Sequence, residues 1–247
     1  MSGAIARYAR AKPGFAERVA HASALLHDAS RNHGSGVVLT TSLGVEDMVL
    51  TDLVARHDLP IALATLQTGK LHAQTLELIA RVEARYGLAV ERWTPREEHV
   101  IAFVARHGEL AMRQSITLRK ACCTMRKLEP LDRLLQDRTA WITGLRRDQS
   151  GARAEVPFVS IDDQGREKLA PLADWSLADV WHYVQLHDVP YNPLHDQFYP
   201  SIGCEPCTRA VALGEDSRAG RWWWEQEDTK ECGLHLSHEP TTTKATA

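Results

Sequence analysis

The sequence predicts an α/β fold, a single domain built on a mostly parallel sheet with helices on both faces and followed by a tail. Three observations predict it. Short apolar runs alternate with segments of helical spacing, the signature of βα units. The connections between them are short, as sequential parallel crossovers require. Three of the apolar runs end in polar residues, two of these ends with glycine, where ligands settle in such sheets.

Phe15 to His33 carries apolar positions at helical spacing and stops at Asn32-His33-Gly34. Val37-Val38-Leu39 then reads as a buried strand. It feeds a polar turn, Thr40 to Gly44, the acidic pair Glu46-Asp47 and a helix from Met48 to His57. Leu59 to Leu66 is a second strand, followed by Gln67-Thr68-Gly69-Lys70 and a helix through Tyr86. Leu88 to Trp93 is a third, Glu97 to His107 another helix, and Ala140 to Leu145 a fourth strand ending at Arg146-Arg147. From about Asp196 the character changes. Cys204 and Cys207 fall in a loop-like stretch, ahead of a Trp-rich segment, Gly214 to Trp224, whose indoles read as groups packed on the sheet. The domain is expected to span 1–225. Residues 226–247, with no core-facing periodicity, read as a mobile tail.

The formal net charge of −3 excludes a nucleic-acid polyanion as the main partner, while leaving room for a local basic pocket. No apolar run approaches the roughly 20 residues of a bilayer span. The residues up to Pro13 lack the apolar core of a secretory signal. The expectation is a cytoplasmic protein with no membrane partner, where thiols stay reduced.

The five cysteines then read as ligands or catalysts rather than disulfide halves. Cys122-Cys123 and Cys204-x-x-Cys207 supply four thiolates from two distant segments, a set that suits zinc or an iron–sulfur cluster. The vicinal pair favours the cluster. Neighbouring side chains seldom reach one small ion, but they can take separate irons of a cubane. Two buried hydrophobes on a helix is the plain alternative for that pair, and the CxxC outweighs it. The fifth, Cys232, stands between Glu231 and Gly233, with His235 three residues on to stabilise a thiolate or handle protons; as a bare pattern, a stray thiol on a tail is the plain reading.

The chain resembles the assimilatory adenylyl-sulfate reductases, within the phosphoadenylyl-sulfate reductase family and the wider adenine nucleotide α-hydrolase-like group. The likeness rests on Ser42-Leu43-Gly44-Val45-Glu46-Asp47, Thr68-Gly69-Lys70-Leu71-His72, Cys122-Cys123-Thr124-Met125-Arg126-Lys127 and Thr143 to Ser150, in order. It continues through Ser201 to Thr208, Arg218-Ala219-Gly220-Arg221-Trp222-Trp223-Trp224-Glu225 and Glu231-Cys232-Gly233-Leu234-His235. The resemblance implies one 4Fe–4S cluster on Cys122, Cys123, Cys204 and Cys207, Cys232 as nucleophile, adenylyl sulfate as substrate and thioredoxin as dithiol donor. It makes Lys127, Arg218 and Arg221 the groups that face the phosphosulfate, with Arg146 and Arg147 behind them. Lys127, four residues after Cys123, is expected on the same helical face. Ser42 and Gly44, with Thr68 and Gly69, are the expected nucleotide contacts, their backbone amides approaching phosphate at a helix start. Lys70, Phe198 and Leu43 depart from the family pattern, where arginine, glycine and phenylalanine are usual.

Three rival readings remain from sequence: a 3′-phosphoadenylyl-sulfate reductase, an ATP pyrophosphatase-type sulfur transferase and a cluster-based redox sensor. The transferase usually carries a Ser-Gly-Gly-x-Asp-Ser turn, which Ser42 to Asp47 lacks. Whether the chain forms a homo-oligomer is open at this level.

Overall fold

A computed structural model describes residues 3–225. Cys232 and His235, and the expected tail, lie outside the described residues. Six strands form one sheet: β1 (Val37–Thr40), β2 (Ala62–Leu66), β3 (Val90–Trp93), β4 (Ala140–Ile142), β5 (Val159–Ile161) and β6 (Glu167–Leu169), in the order β3-β2-β1-β4-β6-β5. All neighbours are parallel except β5, which closes the edge antiparallel to β6. The mostly parallel sheet read from sequence is therefore what forms.

The central strands β1, β2 and β4 are buried on both faces because alternate residues feed two cores. Val37 and Leu39 of β1, Leu63 of β2 and Ile142 of β4 pack into the larger core. That core is shared with α1 (Ala4–Tyr8), α2 (Phe15–His33), α3 (Val45–Arg56), α4 (Ala73–Tyr86) and α8 (Leu177–His187). Val38, Ala64 and Trp141 point the other way, against Leu131, Leu134 and Leu135 of α7 (Glu129–Leu135). Helices thus cover both faces. At about 25 cal/mol per Å² of apolar area, burial of these aliphatic side chains is the main driving force for the layered arrangement. A buried knot ties three helices together. Asp52 of α3 accepts hydrogen bonds from Tyr86 (2.9 Å) at the end of α4 and from Tyr183 (2.8 Å) of α8.

Four strands and the helices α2, α3 and α4 stand where the sequence placed them, with ends shifted by a few residues, while α1 had no counterpart in the sequence reading. α5 (Glu97–His107) matches. α6 (Ile116–Cys123) carries the cysteine pair and runs into a π turn, Thr124–Leu128, before α7. Cys122 and Cys123 therefore end an α-helix at a π turn, the kind of helical irregularity that gathers at functional sites. No described helix is long and apolar enough to cross a membrane.

Candidate active site

The carboxyl ends of β1, β2 and β4 open on one cavity of about 300 Å³, the position expected for a ligand in an open parallel sheet. Its lining includes apolar side chains, Ala64, Leu66, Leu131, Trp141 and Leu145, and polar groups, Ser42, Gly44 and Thr68, with the cations Lys127, Arg146, Arg153, Arg218 and Arg221 and the carboxylates Glu46, Asp47 and Asp148. Apolar walls suit a flat base, and the cations an anion.

The turn after β1 is held from within. Ser42 donates to Asp47 Oδ2 through both its backbone N–H and its hydroxyl, each at 2.7 Å. Leu43 adopts φ +59° to make the bend, and Gly44 caps α3 with backbone alone. The first amides of a twelve-residue helix are thus presented to the cavity. Burial pushes the Asp47 carboxyl up to about 6, against the lowering effect of the Ser42 bonds. Glu46, next to it, behaves oppositely. Burial would raise it, but the Arg146 guanidinium (2.9 and 3.0 Å) and Gln149 (3.1 Å) hold it below the usual carboxylate range. Arg146 lines the pocket while spending its charge on Glu46. Arg147 does not reach the pocket. Its Nε donates to the Val156 carbonyl (2.9 Å) and its guanidinium lies over Phe158, so the structure does not bring it together with the other expected substrate contacts.

A second, smaller cavity, about 20 Å³, adjoins the first and is bordered by Cys122, Cys123, Cys204 and Cys207. Two segments far apart in sequence are brought together by the turn after β2. Leu71 pairs with Cys204 as an isolated bridge, Glu205 N–H donates to the Lys70 carbonyl (2.7 Å), and Thr68 Oγ1 lies 3.3 Å from Cys204 Sγ. Arg126, buried, donates from Nη1 to the Thr68 carbonyl (2.7 Å). Thr68 therefore borders the nucleotide pocket while its hydroxyl serves the cysteine loop. Gly69, at φ +72°, faces Arg126 and lies outside the pocket lining, apart from the other expected nucleotide contacts. Trp222 is buried among the cysteines rather than on the sheet, with the guanidinium of Arg221 4.9 Å from its ring.

The cysteine cavity fits a metal group by its chemistry. Burial, then the neighbouring sulfurs of Cys204 and Cys123, push the Cys207 thiol up to about 12. Burial likewise raises Cys122. Four thiolates persist in such an apolar space only when bound positive charge neutralises them. Among the described residues no three His, Cys, Asp or Glu side chains converge on a point that would hold one metal ion. A polynuclear iron–sulfur group spreads its attachment over several irons, and a cavity bordered by all four cysteines is compatible with that.

The two cavities are contiguous. Lys127, Cys204, Arg221 and Trp222 line both. Lys127 reaches this position from the π turn rather than from a continuing α-helix, so the expected proximity to Cys123 holds by a different route. Residues the sequence reading passed over include Arg126, Arg153 and His195. His195 lines the pocket, buried, with Nδ1 2.8 Å from the Tyr199 carbonyl, and burial lowers its pKa below the ordinary imidazole value.

Comparison with known proteins gives the same placement. The model of the phosphoadenosine phosphosulfate reductase domain matches residues 36–210. The chain is 53% identical over 219 residues to the adenosine 5′-phosphosulfate reductase of Allochromatium vinosum, covering 88% of this chain and 85% of the relative. It is 51% identical to the Burkholderia cepacia protein of the same name, covering 91% and 90%. Among solved structures, a phosphoadenylyl-sulfate reductase from Candida auris, in a phosphate complex, superposes with a TM-score of 0.65 at 26% identity, covering 77% of this chain and 90% of that one. An FMN adenylyltransferase from Candida glabrata, at 13% identity and TM-score 0.57 over 90% and 80% of the two chains, shares the fold alone. With a family match running from the foot of β1 past the second cysteine pair, this chain belongs to the phosphoadenosine phosphosulfate reductase domain family.

Proposed function

We propose that this protein is a thioredoxin-dependent adenylyl-sulfate reductase of the cytoplasm, releasing sulfite and AMP in assimilatory sulfate reduction. The observation that carries the proposal is the shared wall. A pocket lined by apolar side chains and several cations adjoins a four-cysteine cavity, and Lys127 and Arg221 belong to both. Relatives about 50% identical over most of the chain, named adenosine 5′-phosphosulfate reductases, support the same activity.

In this reading the adenine lies against Leu66, Leu131 and Trp141, and the phosphosulfate lies at the start of α3. Backbone amides after Ser42 meet the phosphate. Lys127, Arg218 and Arg221 neutralise the sulfate, guanidinium groups matching its oxygens in pairs. Arg146 keeps Glu46 from repelling the anion. The Cys232 thiolate attacks the sulfate sulfur, the bond from sulfur to the bridging oxygen breaks, and AMP leaves with that electron pair. The enzyme then carries a cysteine thiosulfonate, and His235 holds the thiol proton before attack. A thiolate of the dithiol donor attacks Cys232 Sγ, sulfite departs with the sulfur–sulfur electron pair, and the donor's second thiol resolves the mixed disulfide. Donor oxidation supplies both electrons. Cys122, Cys123, Cys204 and Cys207 would hold the 4Fe–4S cluster, which would order the cysteine loops and tune the electrostatics around Lys127.

Intact-mass spectrometry after mixing the protein with adenylyl sulfate, without reductant, tests the reaction class. A gain of about 80 Da, absent from Cys232→Ser, is expected of the covalent intermediate; no adduct on the wild type ends the reading. Turnover compared at equal concentration with the 3′-phosphorylated nucleotide separates the nearest alternative.

A further inference from the structure

Arg119 lies on α6, three residues before Cys122 and four before Cys123, on the same side of the helix. Its side chain is only 1% exposed, a position that a guanidinium occupies only when paired. The partner is Glu225, 106 residues away and 2% exposed. Arg119 Nε donates to Oε1 at 2.9 Å and Nη2 to Oε2 at 2.7 Å. The guanidinium also lies over Trp222, 4.6 Å from the ring centroid. Trp222 N–H donates to the Cys207 carbonyl (3.2 Å), and Glu225 N–H to the Trp222 carbonyl (2.8 Å). The last described turn is therefore fastened to both cysteine-bearing segments. Neither Arg119 nor Glu225 lines the nucleotide pocket.

A buried ion pair returns little net stability, since desolvation offsets much of the attraction. What two parallel N–H···O bonds add over apolar contact is a fixed position and direction. The direction matters here because Cys232 follows Glu225 by only seven positions, a reach of at most about 25 Å fully extended.

We propose that the Arg119–Glu225 pair is the anchor from which the C-terminal segment delivers Cys232: a positioning pair that ties the nucleophile to the cysteine-bearing helix. The proposal rests on the reading of Cys232 as nucleophile. Anchoring raises the local concentration of the thiol at the sulfate, and its loss falls on the chemical step rather than on nucleotide affinity.

The test uses full-length, iron-loaded protein and the rate of the 80 Da adduct at saturating adenylyl sulfate without reductant, beside AMP affinity by calorimetry. Glu225→Gln is expected to slow adduct formation about tenfold, and at least threefold, with AMP affinity within about twofold. Glu225→Asp, which keeps the charge and retreats by one methylene, serves if the amide variant does not fold, and the same split is expected of it. A slowing of less than threefold overturns the anchor. Parallel loss of AMP affinity also overturns it, because the pair would then merely shape the pocket. Cys232→Ser separates the two claims. If that variant still forms the adduct, the nucleophile assignment fails; if it does not, while Glu225→Gln runs at the wild-type rate, only the anchor fails.

Discussion

Gly144 follows β4 by two residues and packs against the first turn of α3. A methyl group there would stand 2.9 Å from Glu46 Cβ and 3.2 Å from the Asp47 backbone nitrogen, and closer still to Asp47 Oδ1. Relief needs a shift of roughly 1 Å, and two of the three obstacles are fixed by the start of α3, so the helix start must move or the Asp47 carboxylate must leave Ser42. Overpacking of this kind costs about 1–3 kcal/mol, which for a chain of this size lowers Tm by roughly 2–12 °C. The functional cost is at least comparable, since a displacement near 1 Å breaks hydrogen bonds from the amides proposed to face the phosphate, each worth about 1.5–3 kcal/mol, or roughly 10- to 150-fold in AMP affinity. The assay pairs thermal unfolding of Gly144→Ala with calorimetric titration of AMP. Wild-type affinity with an unchanged Tm would refute the reasoning, because it would mean that the turn after β1 does not hold the nucleotide.

Further outcomes follow from the same geometry. Asp47 titrates near 6 in the native state and near 4 unfolded, so between those pH values the native state holds a proton that the unfolded chain has shed. That stabilisation is full below about pH 4 and lost as pH rises through 6, about 3 kcal/mol in all. Chemical denaturation from pH 4 to 7 should therefore show wild type losing ground to Asp47→Asn, and a constant difference would contradict the assignment. Arg146→Ala leaves Glu46 buried without its countercharge, at an expected cost of about 3–5 kcal/mol in urea unfolding; a cost under about 1 kcal/mol would contradict it. Cys123→Ser and Cys207→Ser, prepared without air, should each retain less iron per chain than wild type. Iron analysis showing undiminished iron in both would remove those residues from the ligand set.

The legible parts of the fold are those where local pattern and burial agree. β1, β2 and β4 are apolar runs bounded by polar turns, and their positions could be read directly. β5 and β6 are three residues each, with Val159 and Ile161 exposed at the edge, so no apolar run announces them. α8 was readable by its cap. Ser176 and Asp179 form a reciprocal capping box, a signal present in the sequence and passed over. Arg119 and Arg126 were not readable. A buried cation is legible only with its partner, and these partners lie 106 and 58 residues away. The surroundings of Gly69 and Arg147 were hidden for a related reason. Both stand in polar strand-end motifs, but the backbone turns them toward Arg126 and Phe158.

The departures from the family pattern show where this scaffold tolerates change. Phe198 takes φ +65°, a conformation that glycine adopts without strain and that costs another residue on the order of 1–2 kcal/mol. The Arg7 guanidinium stacked 4.5 Å from its ring offsets part of that cost, and the Phe198 carbonyl accepts from Val211 N–H at 2.9 Å. The strain is thus local and compensated within its own loop. Lys70 is ion-paired with Glu109 through its side chain, while its carbonyl holds the CxxC segment. The service it gives the cysteine loop is therefore a backbone one, available to any residue in that turn. Lys127, Arg218 and Arg221, whose work in the proposed reaction requires a cation, match the basic residues of the pattern. These cationic side chains are constrained by chemistry, whereas those at Lys70 and Phe198 are constrained by backbone geometry, which more than one residue type can satisfy.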